Sequence, residues 1–598
     1  MPIFASSGAG VRLQQAFVAV MVFVPLWVVL ARRLTSPAAD VVRNAAWLPP
    51  APPARDAAPA PAAVRTGLKA AHARWVLAAG AVSAVVWIAF AVRMPLRHYP
   101  ISASRDEAAQ AARTALEPAA LGPQWRFLPV THGSGGTAHR FVWETAGSAV
   151  HDALLGSYLD PPGWTVSVRT FEGDVAERAE SWDVDVDASG GVQGIRHEVP
   201  ESRPGASIDE QAARELAYRA FRDRYSIEPG ALEDVSAAPS KRPQRTDWTM
   251  TVKDGSHKLP SGEARLSARI AGDSVVETRR FVFVPEEWER TARNRATRAT
   301  VAQGAAIVLG AVILVAGVIA AIVSWSRGLF AVRYFPAVAA IVLVLGAIRL
   351  VNGFPALMAG LSTSQPLQLQ LLVLIASGGV GLLLQSGAMG LVSGVVPVWC
   401  RDREGARKAL GLGVALGVLA AAVRLASTVP GAGAMWPSYN GAATFVPFLA
   451  AVIDPLSAVV ARIVFLAFLV AAANRLTSDW TRRRALVGAG LVIVGAILGN
   501  AASPLNLATW AAFAAAIGVV FCAAYALVLR HDVSIVPIAA ATMTGLGALR
   551  EGLAGAYPAA LAGSAVAVVA MSLMAWLWFR ALTPPAGSAP VNLGSDAL

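Results

Sequence analysis

The chain has 598 residues, of which 55% are hydrophobic and only 15% charged, with a mean hydropathy of +0.51; a soluble protein carries roughly a quarter charged residues. The net charge of +12 does not point to nucleic acid, because Lys and Arg concentrate in short loops beside apolar runs, and no groove-reading or base-stacking module is present. Both cysteines, Cys400 and Cys522, sit at or near the ends of apolar runs, so the polar part of the chain has neither a disulfide framework nor a zinc–thiolate site.

In chain order, the first apolar run, 16–30, ends in Ala31-Arg32-Arg33 rather than a small-residue cleavage site. Residues 1–35 therefore read as a retained membrane anchor. Residues 36–74 are rich in Pro and Ala, with Pro49, Pro50, Pro52 and Pro53 close together; lacking amide protons for a ladder, they read as an extended, semi-rigid cytoplasmic linker. A second span covers 75–97.

From 98 to 300 the composition turns polar, and the pattern is duplicated. Ser104 with Glu107, and Ser207 with Glu210, read as capping boxes opening amphipathic helices. Alternating, strand-like runs follow each helix: Trp125–Leu128 and Arg140–Trp143 in the first copy, Trp248–Val252 in the second. Each copy closes with a hairpin. Trp182–Asp187 turns at Ser189-Gly190-Gly191, Arg265–Ile270 turns at Gly272-Asp273, and both return to Val-Pro-Glu. Helix then antiparallel sheet, twice, predicts an inserted α+β domain. The helix starts and glycine hairpins resemble PepSY-type modules, which are small extracytoplasmic helix-plus-sheet units.

Residues 301–583 read as a multi-span helical bundle, with apolar runs near 302–325, 334–352, 367–386, 409–427, 444–473, 486–502, 507–529, 534–549 and 560–580. With the first two spans, the expectation is a polytopic α-helical membrane protein of about eleven spans. The run 367–400 is too long for one upright helix, so a span plus a shorter interfacial or re-entrant piece is expected. The loops at 326–333, 401–408, 474–484 and 530–532 are basic, whereas 353–366, 428–443 and 503–506 carry no charge. That alternation places the basic loops and the tail, 584–598, in the cytoplasm and the 98–300 domain outside it.

Ionisable residues inside spans are costly and are the first functional candidates. Asp454 and Arg462 share one long run and are ~12 Å apart along a helix axis, too far to pair without a bend. Pro455 follows Asp454. Either the helix breaks at an acid, as in transporter midplane sites, or Asp454 caps a helix beginning at Pro455. Weaker candidates are Arg349 and Arg424, at span ends where they reach the headgroups, and Glu551, read as a loop ion pair with Arg550. His132, His139 and His151 match no ligand spacing and read as surface histidines. No phosphate-cradling stretch and no metal set is present, so no cofactor is expected.

The order of parts resembles long bacterial members of the CAAX-protease and bacteriocin-processing (CPBP) family. The resemblance rests on Trp248–Val252, on Phe281-Val-Phe-Val-Pro-Glu-Glu-Trp-Glu-Arg290 and on Leu350-Val-Asn-Gly-Phe-Pro355. In that family an adjacent Glu pair followed by Arg, with histidines on later helices, activates water or binds metal. Here the carboxylates of 301–583 are Asp402, Glu404, Asp454, Asp479, Asp532 and Glu551, none adjacent, and the one histidine is His531. The resemblance thus implies a member lacking the catalytic motifs. The expected protein belongs to a bacterial inner membrane and acts in binding, sensing or scaffolding through its extracytoplasmic domain. Its partners would be the bilayer and a membrane or envelope protein engaging 98–298. The alternatives are a transporter or permease using Asp454 and Arg462, and, if the chain is an enzyme, a divergent intramembrane endopeptidase.

Overall fold

A computed structural model describes residues 68–400, 409–428, 433–499 and 507–583. The expected anchor at 1–35, the linker up to residue 67, the loops 401–408 and 503–506, and the tail 584–598 lie outside the described residues.

Helix α1 (Ala70–Arg93) leads through an extended segment into the polar domain. There α2 (Arg105–Ala115) opens on the expected capping box: Ser104 Oγ accepts the Glu107 N–H at 3.2 Å, and Glu107 Oε2 accepts the Ser104 N–H at 2.7 Å. Then come β1 (Arg126–His132), α3 (Thr137–Leu154), β2 (Gly163–Arg169), the one-turn α4 (Val175–Arg178), β3 (Ser181–Val186) and β4 (Val192–Glu198). The second copy consists of α5 (Glu210–Tyr225), β5 (Leu232–Lys241), β6 (Thr246–Asp254), β7 (Glu263–Ala271) and β8 (Ser274–Phe283). Each copy forms a four-stranded antiparallel meander, β1-β2-β3-β4 and β5-β6-β7-β8. Both expected hairpins are present.

The copies share a bond that no spacing rule revealed. Trp164 on β2 donates its indole N–H to the Ala103 carbonyl at 3.1 Å, and Trp248 on β6 donates to the Ile208 carbonyl at 3.1 Å. Ala103 and Ile208 each directly precede a helix cap, Ser104 and Asp209. The second cap is therefore Asp209, which accepts the Ala212 N–H at 2.9 Å, and not the expected Ser207. Asp caps as well as Ser does, so the sequence offered two candidates two residues apart.

Two further corrections concern the first copy. Arg140–Trp143 is helical, not a strand: it lies in α3, where Phe141 and Val142 are both buried. Four alternating residues cannot separate the two periods. Helix α3 also packs away from its own sheet. Phe141, Val142, Leu154 and Tyr158 join Phe221 of α5 and Met250, Leu266 and Ile270 of the second sheet in one core. Tyr158 also hydrogen-bonds Asp254. The two sheets are tied by Glu198 of β4 to Arg269 of β7 at 3.1 Å and by Arg196 of β4 to Glu277 of β8 at 3.6 Å.

The bundle is formed by α6 (Glu286–Ser326), α7 (Tyr334–Asn352), the short α8 (Phe354–Ala359), α9 (Leu367–Trp399), α10 (Ala409–Ala426), α11 (Pro447–Thr477), α12 (Arg484–Gly499), α13 (Leu507–Ala524, continued by a π-turn to Leu529), α14 (Ile535–Ala554) and α15 (Ala560–Leu582). Among the described residues seven helices are long and apolar enough to cross a membrane: α1, α6, α7, α9, α11, α13 with its π-turn, and α15. Ten of the eleven expected spans fall within the described residues, and seven of those ten meet that length and composition. The apolar helices Leu410–Ala426 and Arg484–Gly499 are shorter, the longer covering ~25 Å at 1.5 Å per residue against a ~30 Å hydrocarbon layer. Helix α14 is diluted by Thr542, Thr544, Arg550 and Glu551. The separate interfacial or re-entrant piece expected after 386 is not found, because α9 runs unbroken for 33 residues with Pro397 in its last turn. Helix α6 likewise runs from the polar domain into the bundle for 41 residues, so the expected boundary at 300/301 falls inside a rigid rod.

Helix α11 is the bundle's centre, burying 56% of its most apolar window against α9, α14 and α15. Both Gly-x-x-x-Gly pairs serve contacts within the chain. A Cβ at Gly413 would meet Ile538, and one at Gly417 would come 2.6 Å from the Ala539 carbonyl, so α10 and α14 touch backbone to backbone.

Candidate functional site

The sequence-derived intramembrane candidates separate in space. Helix α11 starts at Pro447 and passes through Pro455 without a break, so Asp454 neither caps a helix nor sits at an unwound segment. Its carboxylate pairs with Arg349 of α7, Nε to Oδ1 3.0 Å. Arg462, near the middle of α11, donates from Nη1 to Thr544 Oγ1 of α14 at 2.7 Å. Its electrostatic neighbour is the like charge of Arg424. The structure thus brings Asp454 to Arg349 and leaves Arg462 with a hydroxyl. Glu551 accepts the Ser438 N–H at 3.0 Å, while Arg550 donates from Nη2 to the Met94 carbonyl at 2.8 Å. Both hold main chain rather than forming the expected loop pair.

Those last contacts belong to a polar assembly where the polar domain meets the bundle. The segment leaving α1 lies between the loop before α11 and the turn after α14. Arg97 N–H donates to the Met435 carbonyl at 2.8 Å and Ile101 N–H to the Ala556 carbonyl at 2.9 Å. Tyr439, only 4% exposed, donates its hydroxyl to the Tyr99 carbonyl at 3.0 Å, and its own carbonyl accepts Thr131 Oγ1 at 3.2 Å. With Ala442, Ala443 and Ala556 it completes the core formed by Ile101, Ala108, Trp164, Val166, Val184 and Val186. The first sheet therefore has part of its hydrophobic core supplied by the bundle.

Beside this shared core lies a chain of charged and imidazole groups. Arg97 Nη2 is 2.5 Å from Asp152 Oδ1, and the guanidinium lies over the rings of Trp143 and Trp436 at 5.5 and 5.3 Å. Asp152 Oδ1 also meets His151 Nδ1 at 3.1 Å, and His151 Nε2 meets His139 Nδ1 at 3.1 Å. His151 is 0% and His139 8% exposed. The sequence reading of these two as surface histidines is corrected. Twelve residues of straight helix would separate them by ~18 Å, but Gly147 adopts φ +82°, ψ 177° inside α3 and folds its last two turns back. Only glycine occupies that region at little cost. Burial drives His139 down to about 4, and repulsion from His151 adds to the shift. The signal in the sequence was Gly147 itself, a breaker within an otherwise helical stretch.

On the open side of the junction is a recess of 360 Å³ lined by Tyr99, Ser102, Asp187, Ser189 and Gln193 among others. Burial pushes the Asp187 carboxyl up, but hydrogen bonds from Ser189, Gly191 and Gln193 more than offset it and hold it below its usual range. No group of three or more metal-ligating side chains occurs among the described residues.

Comparison with protein-family models, with curated proteins and with solved structures returns no match.

Proposed function

We propose that this is a membrane-embedded binding and scaffolding protein whose duplicated α+β domain engages a ligand and holds it against the bundle. The observation that carries this reading is the shared core: Tyr439, Ala442, Ala443 and Ala556 of the bundle are buried with Trp164 and Val184 of the first sheet. A domain whose core is completed by its membrane anchor has a fixed orientation, so whatever it binds is held at a fixed height and angle above the lipid. The recess at the junction, with hydroxyl, amide and carboxylate groups on its wall, suits a hydrogen-bonding peptide or envelope polymer. The PepSY-like reading of the repeats and the extracytoplasmic placement of the domain belong to the same proposal. The reading as a CPBP relative without protease residues is consistent with isolated carboxylates at 454 and 551, but rests on architecture alone.

A photo-crosslinking amino acid at Gln193, on the recess wall, tests it in intact cells, with Ser236 on the exposed outer strand as the control position. The expected result is a discrete adduct at 193 that is absent at 236. Equal labelling at both positions, or none at 193, would sink the reading.

The transporter alternative draws support from Arg462, a cation midway along the central helix with a hydroxyl partner. The acid that this alternative would use with it, Asp454, is paired with Arg349.

A further inference from the structure

His139 and His151 form a buried pair with a place for one more proton than two neutral imidazoles carry. Assigning protons from the network, His151 Nδ1–H donates to Asp152 and its Nε2 accepts from His139 Nδ1–H. That uses both protons of the neutral pair and leaves His139 Nε2 bare, although the ring has a main-chain acceptor in the Asp160 carbonyl. The alternative tautomers satisfy that carbonyl but turn the His151 Nδ1 lone pair towards the Asp152 carboxylate. Three acceptors in line ask for three protons. A singly protonated pair meets them all; a neutral pair leaves one contact frustrated.

The cluster around the pair is cationic. Arg97 shares Asp152 Oδ1 with His151. From α14, Arg550 holds the Met94 carbonyl and lies 3.7 Å from Met435 Sδ, and Glu551 holds Ser438. His132 faces His139 from β1. Between the two histidines along α3, Glu144 is occupied by Arg140 and by Arg295 of α6. Asp152 is thus the carboxylate in direct contact with the pair, and it is already bound to Arg97.

We propose that this pair is a proton-operated latch: in acid it takes up one proton from solvent, and the added positive charge loosens the Arg97–Asp152 link that holds the polar domain against the loop before α11. The bonds involved are few. One N–H forms on the pair as one O–H of a solvent hydronium ion is given up, leaving water, and Asp152 exchanges part of its interaction with Arg97 for a stronger one with imidazolium. Arg97 is well placed to transmit the change, since its guanidinium lies over Trp436 and its main chain over Met435, both in the loop that enters the central helix. The depressed titration of His139 puts the switch in acid rather than at neutrality. The latch operates whatever the recess binds.

Pulsed EPR distances on the full chain in phosphatidylcholine nanodiscs test this, with spin labels at Ser236→Cys in the polar domain and Gln365→Cys in the bundle, and with Cys400 and Cys522 replaced by Ser. The expected result is a narrow distribution at pH 7.5 that at least doubles in width at pH 3.5, below the titration of the pair, and recovers on return. In His139→Asn/His151→Gln the distribution stays narrow at both pH values. If the double variant does not fold, His139→Asn alone carries the same reading. No broadening with both histidines present, or equal broadening without them, would overturn the latch.

Discussion

Arg349 Nε lies 3.0 Å from Asp454 Oδ1, joining α7 to the central helix α11. Both side chains are more than half exposed on the protein's own surface, 67% and 54%, so the pair is a modest contributor. A double-mutant cycle with Arg349→Gln and Asp454→Asn, read by thermal unfolding in detergent, should give a coupling of about 0.2–1 kcal/mol. The cycle of Asp454→Asn with Arg462→Gln should be additive to within ~0.5 kcal/mol, as for residues that do not touch. A larger coupling in the second cycle would mean that the two candidates of the transporter reading act together after all.

Tyr439 tests the shared core. Tyr439→Phe removes the hydrogen bond to the Tyr99 carbonyl and should cost ~1 kcal/mol. Tyr439→Ala also opens a cavity beneath Trp164 and Val184 and should cost ~3–5 kcal/mol. Limited proteolysis of the polar domain in reconstituted protein reads the difference: little change for Phe, and rapid cleavage within 98–298 for Ala. Equal resistance in both would show that the loop merely rests on the domain.

Gly147→Ala forces a side chain into a backbone region that L residues avoid, at a cost of order 1–3 kcal/mol. No neighbouring atom lies within 4 Å of the added Cβ, so the penalty is conformational rather than steric. Hydrogen exchange should rise across 137–154 while the β5–β8 sheet stays protected. Uniform loss of protection would place the fault elsewhere.

Acid should destabilise the polar domain through His139. Its titration lies at about 4 in the folded chain against 6.5 for the free side chain, so between those values the unfolded state binds more protons. Stability therefore falls as pH drops from 6.5 and the loss is complete below about 4, where the linked cost is roughly 3 kcal/mol. Melting of the wild-type protein and of His139→Asn from pH 7 to 4 should diverge over that window. Parallel curves would remove His139 from the acid response.

The sequence made the architecture of the polar domain legible where local chemistry is decisive. Glycine turns at 190–191 and 272 fixed both hairpins, and Ser104 with Glu107 fixed one helix start. It was less informative where two candidates stood close together, as at Ser207 and Asp209, or where a four-residue pattern fitted two periods, as at Arg140–Trp143. The span count failed for a related reason. Apolar composition marks a helix as buried without fixing how long it runs: over the described residues 410–426 and 484–499 are shorter than the seven long apolar helices.

The candidate site was scarcely legible at all. Arg97, His139, His151, Asp152 and Trp436 are brought together by a glycine kink and by a loop more than 280 residues further along the chain. Neither contact follows any periodicity.

What the sequence determined alone is the division of the chain: apolar runs that water will not solvate, a polar insert with two matching helix-and-hairpin halves, and carboxylates in 301–583 of which no two are adjacent. Those follow from composition and spacing, which act on each segment separately. Only the tertiary structure decided that Asp454 belongs to Arg349, that α3 serves the other copy's core, and that the bundle completes the first sheet. Such pairings depend on which surfaces remain uncovered after every helix and strand has formed, and that is a property of the whole chain.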